Sequence, residues 1–171
     1  QPTAWLVEQL ARDSDLWNRA WVIEQLAVRA AEPAAAAALR AAATGADYFL
    51  TRVQAVAALA AVPGPEVEAS LLRAVEDTAA QVRVAALDAL GGRRAGGRDA
   101  AGDRWERDGS DEVRAAALRA LVQLDPAGVR PLLAGALDQP SYQDAISNAA
   151  AFGAFMLRDT TLIPAVARAA E

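Results

Sequence analysis

The sequence predicts an all-α protein: a right-handed α-solenoid of antiparallel helix pairs, about five repeats plus a final helix. Three observations predict it. Residues 112–124, EVRAAALRALVQL, set Val113, Ala117, Leu118 and Leu121 on one side, the i, i+3/i+4, i+7 spacing of an amphipathic helix. Versions of that stretch recur about every 31 to 34 residues, the period of helical repeat arrays. The composition is 54% hydrophobic but rich in alanine, with only 5% aromatics. That balance suits close helix–helix packing and argues against the β-branched, aromatic strands of a sandwich or barrel.

The repeating frame is marked by Arg19, Arg52, Arg83 and Arg114, with Asn148 at the same place in a fifth copy. Four positions on stand Ile23, Val56, Leu87, Leu118 and Phe152. Seven on stand Leu26, Leu59, Leu90, Leu121 and Phe155. Both sets are expected in the core.

In chain order, a first helix spans 2–12 with Trp5, Leu6, Gln9 and Leu10 at helical spacing. Ser14 and Asp15 are placed to cap a second helix, 16–30. Pro33, tolerated in a first turn, opens an alanine-rich helix that ends at Thr44-Gly45. Asp47 is the expected cap of 49–62, and Pro63-Gly64-Pro65 breaks the chain. Residues 66–77 and 81–90 make a third pair. Residues 99–107 form a degenerate helix whose main apolar contact is Trp105, and Gly109-Ser110-Asp111 start the reference helix. Asp125-Pro126 opens a helix with Leu132, Leu133 and Leu137, Pro140-Ser141 introduces the last frame copy, and Thr160 and Thr161 cap a final helix, 162–170.

The glycine- and arginine-rich stretch 91–98 has two readings, an anion-binding loop or a solvated link between repeats. No Gly-Lys-Ser/Thr follows and no strand precedes it, which favours the link.

Function classes narrow quickly. A net charge of −5 disfavours nucleic acid, whose phosphates need a basic face. No apolar run approaches the length of a membrane span. With no His and no Cys, neither a zinc site of the usual nitrogen or sulfur type nor a Ser-His or Cys-His pair can be assembled from this chain. We therefore assign it no catalytic residue, no metal ligand and no cofactor. The local carboxylates Asp103, Glu106, Asp108, Asp111 and Glu112 alternate with Arg104, Arg107 and Arg114, the pattern of a solvated ion-pair surface.

The frame arginines Arg19, Arg52, Arg83 and Arg114 read as a structural ladder, each fork of donors reaching a carboxylate or a helix-end carbonyl of the adjacent repeat. A ladder that binds an acidic peptide is the other reading. The second helices of the pairs are expected to line a concave surface of Trp21, Glu24, Gln54, Ala57, Ala85, Asp88, Ala116, Arg119, Ala150 and Gly153. Trp21 is the expected anchor, because its position points away from the core stripe and tryptophan is enriched at protein contacts.

The Val-Arg-x-Ala-Ala-Leu-x-Ala-Leu frame resembles HEAT repeats. The opening residues 1–20, QPTAWLVEQLARDSDLWNRA, with 109–121, 139–146 and 158–164, resemble the C-terminal HEAT-like domain of bacterial zinc aminopeptidases of the membrane alanyl aminopeptidase family. The resemblance implies a single domain over 1–171 at the C-terminal end of a longer polypeptide, an expectation that fits an opening Gln1 in place of Met. It also implies a parent metallopeptidase with zinc in its catalytic domain. The partners of this chain would be that domain and its peptide substrate, with access limited by this chain. That family's His-Glu-x-x-His, distal Glu and Gly-x-Met-Glu-Asn motifs are absent here, so no catalytic residue carries over. The alternative is a free-standing scaffold holding a protein partner in its groove. A HEAT-like DNA repair glycosylase is disfavoured by the acidity.

Overall fold

The structure, a computed structural model, describes residues 1–94 and 96–169. Among the described residues every regular element is helical, in the order α1 (Thr3–Arg12), α2 (Leu16–Val28), α3 (Pro33–Gly45), α4 (Phe49–Leu59), α5 (Pro65–Ala74), α6 (Ala80–Arg93), α7 (Arg98–Arg107), α8 (Asp111–Leu124), α9 (Pro126–Leu137), α10 (Ala145–Met156) and α11 (Ile163–Ala169), with 3-10 turns at Tyr142–Asp144 and Thr160–Leu162. The chain is of the α-solenoid class, built from helix pairs, and divides into two compact units, Gln1–Ala89 and Leu90–Glu171. Ala170, the expected end of the last helix, lies outside the described residues.

In the first unit α1 packs on α2 and α3, α2 on α4, and α3 on α4 and α5. The frame accounts for the core: Ile23, Leu26, Val56, Leu59 and Leu87 are buried, joined by Leu6 and Leu39 from first helices. Caps follow sequence in part. Asp15 accepts from the Trp17 and Asn18 N–H groups at 2.9 Å each, which seats α2. Asp47 does not cap α4. The N-cap is Tyr48, and no side chain bonds the first turn.

In the second unit α8 packs against α7, α9 and α10. Being covered by three helices, it buries nearly its whole circumference, including Ala115, Ala116, Ala117, Leu118, Ala120 and Val122. Alanine at these positions lets the helices approach closely. The fifth frame copy departs from expectation. Phe152 and Phe155 are exposed, Phe155 by 77%, while α10 buries Ile146, Ala149, Ala150, Gly153 and Ala154. The buried stripe therefore runs one residue ahead of the frame. The cause is a close crossing at Gly153, where a Cβ would meet Leu133 Cδ2 and Val122 Cγ2 at 2.9 Å each.

The stretch 91–98 is mostly not a loop. Gly91 to Arg93 complete α6, Gly97 (φ 75°) precedes α7, and Ala95 lies outside the described residues. Trp105 is half-buried beneath the Arg114 guanidinium, 5.1 Å from the ring centroid, and Ala101 is the buried residue of α7. The last turn is capped by Asp159, which accepts from the Thr161 N–H at 3.2 Å, rather than by Thr160 or Thr161.

Candidate protein-binding surface

The outward face of α2 is the most exposed apolar feature of the first unit. Trp17, Trp21, Glu24 and Val28 follow at i, i+4, i+7 and i+11 and so share one side of the helix. Val22, Ile23 and Leu26 occupy the other side and are buried. Trp17 is 86%, Val28 84% and Trp21 44% exposed. Trp21 also meets Trp5 of α1 edge-on, with ring centroids 6.4 Å apart and planes at 73°. This contact holds the Trp21 ring without covering it.

Of the other expected surface positions, Gln54 and Ala57 on α4 are exposed, as is Asp88 on α6, and Ala85 is half-buried. Arg119 is half-buried on α8. Ala116, Ala150 and Gly153 are not surface residues. They are buried because α8 and α10 pack on each other, so the expected surface fails at those positions. The sequence leaves Trp17 evenly open between core filling and an interface, and Val28, which lies beyond the frame, carries no expectation. The signal for both was the i, i+4, i+11 spacing from Trp17.

The frame arginines look inward. Arg52 Nε and Nη2 donate to the two carboxylate oxygens of Asp77 at 2.7 and 2.8 Å, and Nη1 donates to the Ala46 and Asp47 carbonyls at 2.8 and 3.1 Å. Arg83 Nη1 donates to the Asp77 and Thr78 carbonyls at 2.8 and 3.2 Å. Arg114 Nε donates to the Trp105 carbonyl at 3.0 Å, and its Nη1 and Nη2 each reach the Gln139 amide oxygen at 2.7 Å with that amide oriented to accept. Arg19 differs: its Nε is buried with no hydrogen-bond partner.

Two arginines of 91–98 are engaged within the second unit: Arg98 Nε donates to Asp125 at 2.8 Å and Arg94 Nε to Gln123 at 3.3 Å. In the acidic cluster, Arg107 pairs with Asp103 at 2.6 Å and Arg104 with Asp108 at 3.6 Å, side chains that neutralise one another. Among the described residues no three His, Cys, Asp or Glu side chains gather to hold a metal ion. Nor is any helix among them long and apolar enough to cross a membrane.

Comparison with known proteins agrees with this geometry. The sequence model of HEAT repeats matches residues 3–91, just over half of the chain. The chain belongs to the HEAT repeat family. Among solved structures it is similar to a chain in the complex of CpcE and CpcF of phycocyanin lyase from Nostoc sp. PCC7120. The identity is 22% and the TM-score 0.69, over 95% of this chain and 67% of that one. No curated protein matches the sequence.

Proposed function

We propose that this chain is a non-catalytic HEAT-repeat scaffold that holds a protein partner on the outward face of α2, with Gln54 of α4 as a polar flank. The observation that carries the reading is the run of Trp17, Trp21 and Val28 on one side of a helix whose opposite side is already buried. Trp17, left almost wholly in water, gives the fold little, and with the part-exposed Trp21 it gives an interface its strongest anchors. Glu24 and Asp88 lie within an acidic chain and would orient a partner more than attract it. Membership of a family of stacked repeats, and likeness to a chain solved as part of a two-protein complex, support the reading.

A finer reading makes the partner the catalytic domain of a zinc aminopeptidase on the same polypeptide, with zinc held there. Its support is the sequence resemblance of 1–20 and the later segments, together with Trp5 and Trp21 being part-exposed next to that N-terminal stretch. The coding region upstream of Gln1 tests it directly. A His-Glu-x-x-His motif there supports it, and its absence removes this finer reading while leaving the scaffold.

The scaffold reading itself is tested by placing a photo-reactive amino acid at position 17 in the native host. One defined polypeptide segment, in cis or in trans, should be cross-linked. A yield no higher than that from the exposed, charged position Glu112 would overturn the reading.

A further inference from the structure

Arg19 breaks a pattern that its own fold defines. Arg52 reaches the carboxylate of Asp77, which stands six residues before the next frame arginine, Arg83. Six residues before Arg52 stands Ala46. The two backbones are equivalent, since the Ala46 carbonyl accepts Arg52 Nη1 at 2.8 Å as the Asp77 carbonyl accepts Arg83 Nη1 at 2.8 Å. Only the carboxylate is missing at Ala46. Arg19 Nε is accordingly buried and unpartnered, and no carboxylate pairs with its guanidinium among the described residues. Arg19 and Ala46 line the same cleft of about 360 Å³ in the first unit, whose apolar walls include Val7, Leu10 and Ala38.

We propose that this cleft receives an aspartate or glutamate side chain of the protein partner, whose carboxylate takes on Arg19 the place that Asp77 takes on Arg52. The proposal rests on the scaffold reading and names a second point of attachment for it. A shielded Nε–H without an acceptor is a costly arrangement, and a planar carboxylate matches the donors of the half-buried guanidinium. Asp47 also lines the cleft. Its carbonyl and charge act on Arg52, whose pKa is raised first by the bond to Asp77 and further by the charges of Asp77 and Asp47. The apolar walls and the chain's net charge of −5 favour a single carboxylate on an apolar segment over a multiply charged phosphate.

The test is a titration of the whole chain, followed at the Arg19 Nε–H resonance, which is assigned by its loss in Arg19→Gln. The probe is a blocked peptide, acetyl-Leu-Ala-Asp-Ala-Leu-amide. Its aspartate form should shift the resonance saturably, and the asparagine form should bind at least tenfold more weakly. Ala46→Asp, which supplies the carboxylate in cis, should move the free resonance towards the bound position and weaken the peptide at least tenfold. Ala46→Asn, equal in size and neutral, should bind within threefold of wild type. Equal binding of the asparagine peptide, or undiminished binding by Ala46→Asp, would overturn the proposal. So would a shift by acetate or inorganic phosphate as tight as that by the peptide, which would make this a small-anion site. Cross-linking from position 17 that persists undiminished in Arg19→Gln would sink this site and leave the scaffold reading standing.

Discussion

Arg52 and Asp77, 25 residues apart, form a two-pronged ion pair at 2.7 and 2.8 Å that ties α4 to the turn after α5. Burial by itself would raise the Asp77 pKa. The Arg52 hydrogen bonds, the Ala79 N–H and the charges of Arg52 and Arg83 outweigh it and hold the carboxyl below its ordinary 3.8. A carboxyl with a depressed folded-state pKa adds stability above its unfolded pKa, about 3.9, and loses it as pH falls through the folded value. Urea unfolding should therefore weaken more steeply below about pH 4 in the wild type than in Asp77→Asn. At pH 7 that substitution should cost about 2 kcal/mol, less than the roughly 3–5 of a fully buried pair, because both side chains keep 12% exposure. Parallel pH profiles for the two proteins would contradict this role.

Neighbouring glycines at the end of α6 should respond in opposite directions. A Cβ on Gly91 would stand 2.9 Å from the Ala120 Cα, a backbone atom that cannot step aside. Gly91→Ala should cost about 1–3 kcal/mol by overpacking. Gly92 has nothing within 4 Å, so Gly92→Ala should gain about 0.5–1 kcal/mol from helix propensity. Thermal unfolding of the two single variants gives the comparison, and a common sign would place α6 wrongly against α8.

The register of α10 is open to the same kind of check. Leu118→Ala, at a fully buried frame position, should cost about 2–5 kcal/mol. Phe155→Ala, at the place in the fifth copy that corresponds to Leu121, should stay within about 0.5 kcal/mol since the ring is in water. Similar losses in urea denaturation would restore the expected register.

How much of this was legible in the sequence depended on what kept its period. The frame arginines and the large aliphatic residues four and seven positions beyond them recur, so four of the five core stripes could be read directly. The fifth could not, because the shift in α10 comes from Gly153 meeting Leu133 and Val122, a contact between elements that no local pattern encodes. Alanine was the other source of error. At Ala57 it lies at the surface and at Ala116 it is sealed between helices, and hydrophobic spacing cannot separate the two. Glycines 91 and 92 read as a loop because glycine usually ends a helix, whereas here Gly91 permits a close crossing. Trp21 pointed outward as its frame position required. The unpartnered Nε of Arg19 has no local signature, because it follows from Ala46 standing where the equivalent backbone position carries Asp77.

The most direct test of the scaffold account separates folding from docking on the face of α2. In the double variant Trp17→Ala, Val28→Ala, the unfolding midpoint of the chain should move by no more than about 0.5 kcal/mol in stability, as for exposed positions. Its affinity for the segment identified by cross-linking from position 17 should fall at least tenfold. A variant that unfolds, or one that binds that segment as tightly as the wild type, would contradict the account.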